Sequence, residues 1–247
     1  MSGHSKWSTI KRKKGALDAK RSKIFSKIIK DITVAVKEGV PDPDGNPRLR
    51  LALANAKGAN MPKDNIQRAI SKASDKDAAA LTETTYEGYG SNGIAIFIEA
   101  TTDNVQRTVA NVRSIFNKYN GSLGTNGSLS FIFERKGVFT IPVANVKNPD
   151  DFELEVIDAG AEDLSEDEGF FTITTALENF GSMMKKLEEM KIEPENAELQ
   201  RIPKTTTKLD KDAGIRLLKM IDFFEEDDDV TGVFHNMEVT EEMMNEI

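Results

Sequence analysis

The stretch IAIFIEATTDNVQRTVANVRSIFNKY, residues 94–119, changes its period half-way. Ile94–Ala100 is an apolar run of strand length, and Thr102-Asp103 then offers a helix N-cap. Val105, Val109, Val112, Ile115 and Phe116 follow at helical spacing through Tyr119. Just upstream, Thr84–Tyr89 is a second strand-like run, separated from the first by a Gly-rich turn. A hairpin that passes at once into a helix belongs to an α+β arrangement rather than to a parallel doubly wound sheet.

The same texture continues downstream. The loop GSLGTNGS (121–128) leads to an expected strand at Leu129–Glu134, and Val138–Val143 is the next. Pro149–Ala159 reads as a helix stopped by Gly160, Phe170–Thr174 as a strand, Phe180–Met190 as a helix and Glu198–Ile202 as a strand. Residues 138–202 thus give β-α-β-α-β with room for one edge strand near Ala161–Leu164, a ferredoxin-like count. Asp210–Phe224 is a helix with Ile215, Leu218, Ile221 and Phe224 inward, and Val230–Met237 is the last strand.

Upstream the pattern is helical. Ile24, Phe25, Ile28, Ile29, Ile32 and Val36 form one stripe between Leu17 and Glu38, ended by Gly39 and Pro41. Asn46-Pro47 supplies an N-cap and a first-turn proline for a second helix. Pro62 opens a third, with Ile66, Ala69, Ile70 and Ala73 inward. Residues 17–75 read as a three-helix unit, 1–16 as a mobile arm, and Ser74–Thr82 as a linker.

Charge is segregated along the chain. The 247 residues carry 33 Lys/Arg against 41 Asp/Glu, a net of −8. Residues 1–76 hold 18 bases and 7 acids, a net of +11, whereas 77–247 hold 15 and 34, a net of −19. Within the first thirty residues ten bases face one acid, Asp18. A basic arm on an acidic body points to a polyanionic partner at one end only. Cysteine is absent and only His4 and His235 are present, so thiolate sites, disulfides and His-rich metal centres are not expected. No apolar run approaches the ~20 residues of a membrane span, and no apolar segment of a secretory signal is seen. The cytoplasm is the expected compartment.

Lys6, Lys11, Arg12, Lys13 and Lys14 suit phosphate contacts driven by counterion release. Trp7, the only Trp, suits stacking on an unpaired base or a ribose, or else anchors the arm on the helices. His4 lacks a second ligand nearby and suits a hydrogen bond to phosphate or RNA. Lys20, Lys23, Lys27 and Lys30 alternate with the stripe and face solvent or nucleic acid, with Lys20, Arg21 and Lys23 as candidate contacts, while a membrane-binding role for this helix is disfavoured because its stripe is needed for packing. Gly88, Gly90 and Gly93 spell G-x-G-x-x-G, but a strand follows where a dinucleotide site needs a helix. The 121–128 loop lacks a P-loop lysine and is read as a turn or as a contact for RNA. The run Glu225–Asp229 has no interleaved spacing for a divalent cation and reads as a solvated loop. No catalytic constellation is visible, and no cofactor, metal, membrane or small-molecule substrate is expected.

The segments GHSKWSTIKRKKGALDAKRSKIFSKIIKDI (3–32), NPRLR (46–50), NMPKDNIQRAI (60–70), YEGYG (86–90), TTDNVQRTVANVR (101–113) and GSLGTNGS (121–128) resemble the YebC/PmpR family over the whole chain. The resemblance implies a helical N-terminal domain at 1–79, an α+β domain at 80–135 and 204–247, and a ferredoxin-like domain at 136–203 inserted into it. It also implies one of two roles, DNA-binding transcriptional regulation or translation on the ribosome through difficult stretches such as proline runs. Two features depart from the family pattern: Arg12 stands where many members have His, and SDKDAAAL replaces a Gly-rich stretch. Taken with the arm, the expected partner is ribosomal RNA or tRNA, with duplex DNA as the alternative and a protein-binding adaptor as a third class. Arg48, Arg50, Lys63, Arg68 and Asn126 are possible secondary contacts to RNA or DNA. Asp64 near the start of the third helix disfavours that helix as a base reader.

Overall fold

The structure, a computed structural model, describes residues 17–75 and 80–244, with side chains over 21–75 and 80–243. Three helices come first: α1 (Leu17–Glu38), α2 (Pro47–Gly58) and α3 (Lys63–Ser74). Next are β1 (Thr82–Tyr89), β2 (Ala95–Thr102), α4 (Val105–Lys118), a two-residue β3 (Ser122–Leu123) and β4 (Phe133–Pro142). Then follow α5 (Pro149–Asp158), β5 (Ala161–Asp167), β6 (Phe170–Ala176), α6 (Phe180–Glu189) and β7 (Asn196–Pro203). The last elements are α7 (Lys211–Glu226), β8 (Val230–His235) and a single turn, α8 (Glu241–Met244). The fold is mixed α+β, as the sequence pattern requires. There are two compact units. One draws its described residues from Arg21–Ala78 and Arg135–Gln200, the other from Met1–Lys20, Ala79–Glu134 and Arg201–Ile247.

In the first unit, Ile28, Ile32, Ala35 and Val36 of α1 pack with Leu49, Ala52 and Ala56 of α2 and Ala69 and Ala73 of α3. The stripe is narrower than expected. Ile24 and Ile29 are 45% and 37% exposed, because each lies one 100° step beside the row formed by 25, 28, 32 and 36. Buried Asn46 caps two helices at once. Its Oδ1 accepts from Leu49 N at 3.0 Å, and its Nδ2 donates to Ala35 O and Val40 O at 2.7 and 2.9 Å. The helices are tied to the sheet of the same unit by Asn55 of α2, which exchanges two 2.9 Å bonds with the backbone of Ala197 in β7. Lys27 pairs with Glu198 at 3.3 Å, and Lys57 pairs with Glu193.

That sheet has the order β5-β6-β4-β7, and its element sequence β-α-β-β-α-β is ferredoxin-like. The edge strand for which the sequence left room is β5. Phe139, Ile141, Phe152, Val156, Ile173, Met183 and Leu187 fill the space between strands and helices. One expectation fails here. Leu129–Glu134 and Val138–Val143 are not two strands; residues 129–132 turn, and a single ten-residue strand runs from Phe133 to Pro142. The polar stretch Glu134–Gly137 near its start reads as a break. Gly137 is there because a Cβ would meet Thr175 Oγ1 at 2.5 Å and Phe180 at 2.7 Å.

In the second unit the antiparallel sheet has the order β3-β1-β2-β8. Ile94, Ile96 and Ile98 join Val112 and Phe116 of α4 and Leu218, Ile221 and Phe224 of α7 in one core. On the other face Ala95, Phe97 and Phe234 pack with Leu129 and Phe133. The cap of α4 is Asn104 rather than Thr102-Asp103: Asn104 Oδ1 accepts from Arg107 N at 3.1 Å. Thr102 Oγ1 instead accepts from Asn104 N at 2.9 Å. Val105, expected inward, is exposed. The glycines of the G-x-G-x-x-G string have a packing role. A Cβ on Gly88 would meet Phe116 at 2.5 Å, and one on Gly90 would meet Leu217 at 2.6 Å.

Candidate nucleic-acid interface

The centre of the basic arm, His4, Lys6, Trp7, Lys11, Arg12, Lys13 and Lys14, lies outside the described residues. Lys20 lies in α1, but its side chain is not among those described. Arg21 and Lys23 are exposed on the first turns of α1. Arg21 donates to Asn60 O at 3.4 Å and lies 5.5 Å from the centre of the Phe25 ring. This brings a cation to the α2–α3 turn, where Asn60 takes a left-handed conformation at φ 54° and exposed Lys63 opens α3.

The other candidates are engaged within the fold. Arg48 pairs with Glu38 at 2.7 Å. Arg50 donates to Pro43 O and Asp44 O at 3.1 and 2.9 Å, pinning the loop between α1 and α2. Arg68 donates to Asp64 O at 3.2 Å and to the Asn65 side chain. A guanidinium held this way is oriented by its own helix, and binding a phosphate or base edge would compete with those bonds. Asn126 is exposed in the loop of the other unit.

That loop is not an open nest of amides. Glu87 of β1 is only 4% exposed. Its carboxylate accepts from Gly127 N at 2.7 Å, Leu129 N at 2.6 Å and Ser128 Oγ at 3.5 Å. Its own carbonyl accepts from Gly124 N at 2.7 Å. The two amides that would serve an anionic ligand already hold an internal anion, so RNA would meet side chains of this loop rather than the Gly127 and Leu129 amides.

A second cluster was hidden in the acidic run. Glu225 and Glu226 belong to α7, and Asp229 is buried, not solvated. Asp229 Oδ2 accepts from Arg107 Nη2 at 2.7 Å and from Thr108 Oγ1 at 2.9 Å, clamping the start of α4 to the start of β8. Asp103 accepts from the same guanidinium at 2.8 Å. These hydrogen bonds, Asp229 first, raise the pKa of Arg107. Burial raises that of the Tyr86 phenol, and the charges of Asp229 and Asp227 add to the effect. Asn111 donates to Asp227 at 3.0 Å. The open hollow between Arg107, Asn111 and Asp227–Asp229 is lined mainly by carboxylates, a poor seat for a phosphate. Among the described residues, no group of three or more His, Asp or Glu is placed to hold a metal. None of the described helices is long and apolar enough to cross a membrane.

Comparison with known proteins covers both halves of the chain. Residues 5–76 match the model of the TACO1/YebC protein N-terminal domain, and residues 81–237 that of the TACO1/YebC second and third domain. A relative from Amoebophilus asiaticus is 51% identical over 96% of this chain and 98% of its own length. One from Geotalea uraniireducens is 50% identical over 100% of both chains. Each is named "Probable transcriptional regulatory protein". The crystal structure of a conserved hypothetical protein from Aquifex aeolicus is similar with a TM-score of 0.84 at 39% identity, covering 94% of this chain and 96% of that one.

Proposed function

The chain belongs to the TACO1/YebC family, and we propose that it is a non-enzymatic, nucleic-acid-binding factor of gene expression that acts on structured RNA. In its most concrete form the target is the ribosome, where the factor assists elongation through difficult sequences. The carrying observation is the segregation of charge. Ten bases against one acid in the first thirty residues precede a body with a net charge of −19 over 77–247. The acidic body opposes a phosphate backbone, so the basic end is what enters an RNA cavity. A basic arm with a single Trp suits unpaired bases and irregular backbone better than a uniform groove. In this reading His4, Lys6, Trp7, Lys11–Lys14, Lys20, Arg21 and Lys23 are the primary contacts. Residues 1–79 form the RNA-facing domain, and 80–135 with 204–247 and the insert 136–203 form two positioning domains.

A second reading, regulation of transcription on duplex DNA, is favoured by the names of the relatives and by the α2–turn–α3 pair. Against it, exposed Asp64 lies in the first turn of α3, where a recognition helix makes base contacts. Co-sedimentation with ribosomes across a salt series, beside titration with duplex DNA, separates the two. The RNA reading requires saturable ribosome binding that weakens with salt and exceeds binding to duplex.

A further inference from the structure

We propose that the loop Gly124–Phe131, together with Lys204, is a second RNA contact that stacks an unpaired base on Phe131. The proposal rests on the RNA reading above and gives it a site outside the arm. Phe131 is 68% exposed, the most exposed of the large apolar side chains among the described residues. Its neighbours are not: Leu129 and Phe133 are buried against the sheet. The chain turns both of them inward and leaves the ring between them in solvent.

The backbone on either side of the ring is held in place. Glu87 fixes the loop through Gly124, Gly127, Ser128 and Leu129. Ser130 Oγ donates to Gly127 O at 2.9 Å, and Ile132 N donates to Leu129 O at 3.0 Å. A preordered loop backbone leaves only the side chain of Phe131 to be ordered on binding.

The surroundings favour a nucleotide over an apolar protein partner. Protein anchors lie in contiguous apolar patches, whereas the loop that carries this ring also exposes the polar residues Thr125, Asn126 and Ser130. Lys204 N donates to Ile132 O at 2.9 Å, so an exposed ammonium-bearing side chain starts one residue from the ring. Residues 120–133 and 202–209 contain no Asp or Glu, although the chain from 77 onward carries 34. An aromatic face, hydroxyl and amide groups for base edges, and a lysine for phosphate make up the elements of a single-strand site.

The test uses the full chain, a fluorescein-labelled oligouridylate of about twelve nucleotides, and purified ribosomes. Phe131→Ala is expected to raise the Kd for the oligonucleotide by roughly 5- to 100-fold, and to weaken ribosome binding. Phe131→Tyr is expected to keep affinity within about two-fold, since the stacking face is retained. The exposed ring bears little on folding, so both variants should melt with the wild type. Unchanged oligonucleotide affinity in Phe131→Ala would overturn the inference and leave the RNA reading standing. Loss of ribosome binding with unchanged oligonucleotide affinity would assign the ring to a protein, which also overturns it. A wild-type chain that binds the ribosome but not the oligonucleotide overturns the stacking site alone. A wild type that binds neither overturns the RNA reading with it.

Discussion

Glu87→Ala should release the 124–131 loop and destabilise the unit that contains it. The buried carboxylate accepts two short bonds from backbone amides, at 2.7 and 2.6 Å. Hydrogen bonds to a charged group contribute about 1.5–3 kcal/mol each. After truncation the exposed Gly127 amide regains water, but the amide of fully buried Leu129 is left without its acceptor, at about 1–3 kcal/mol. The combined loss is about 2–4 kcal/mol. With a urea m-value of about 1–3 kcal/mol/M, the midpoint falls by about 0.7–4 M. Glu87→Gln keeps the shape and one acceptor oxygen, and should lose roughly half as much. Urea unfolding followed by circular dichroism gives the global effect. Amide hydrogen exchange over residues 121–133 gives the local one, with protection at Gly127 and Leu129 falling first. Wild-type midpoint and unchanged exchange at those two amides in Glu87→Ala would refute the clamp.

Asp229→Ala should lower stability by about 1.5–3 kcal/mol through the charge-assisted bond from buried Thr108 alone. Asp103→Ala, which removes an exposed partner of Arg107, should change it by well under 1 kcal/mol, and thermal melts of the two variants compare them directly. Asn46→Ala removes a cap, one bond to the end of α1 and one to Val40 O just beyond it and should cost about 1–2 kcal/mol in thermal unfolding. Tyr86 has a raised pKa in the folded chain, so the unfolded chain releases its proton first. The stability this residue contributes is therefore complete below about pH 10 and lost as pH rises further. Unfolding midpoints measured from pH 8 upward should decline less steeply in Tyr86→Phe.

The elements legible in the sequence were those in which local signals and packing agree. Asn46-Pro47 read as the start of a helix because capping and a fixed φ both favour it, and Asn46 does cap α2. The ferredoxin-like count was legible because Gly160, at φ +98°, punctuates the turn between α5 and β5. Errors arose where tertiary contacts decide. Thr102, Asp103 and Asn104 are all capping residue types, and only the fold shows that Thr102 serves Asn104. The apolar residues of Leu129–Glu134 predict a strand, in which Phe131 would alternate with its neighbours in and out. The turn at 129–132 sets the ring outside instead. Glu87 lies in YEGYG, and nothing local marks it as buried, because its partners lie about forty residues later. Asp229 was concealed among four other acids. Its burial depends on Arg107 and Thr108, more than a hundred residues away in sequence. The absence of any carboxylate from 120–133 was a signal available in the sequence that marks the Phe131 surface.

The central claim, that the basic arm reads unpaired RNA, is tested most directly by comparing Trp7→Ala with charge reversal of Lys11, Arg12, Lys13 and Lys14 to Glu. Binding of the full chain is measured on ribosomes and on duplex DNA across a salt series. Charge reversal should weaken both ligands, lowering the salt slope by up to ~2.8 for irregular RNA and ~3.6 for duplex if all four bases touch phosphate. Trp7→Ala should weaken ribosome binding by roughly 1–3 kcal/mol through lost stacking and leave duplex affinity nearly unchanged. Intact ribosome binding in Trp7→Ala, with charge reversal abolishing only a sequence-specific duplex complex, would contradict the RNA reading and put regulation of transcription in its place.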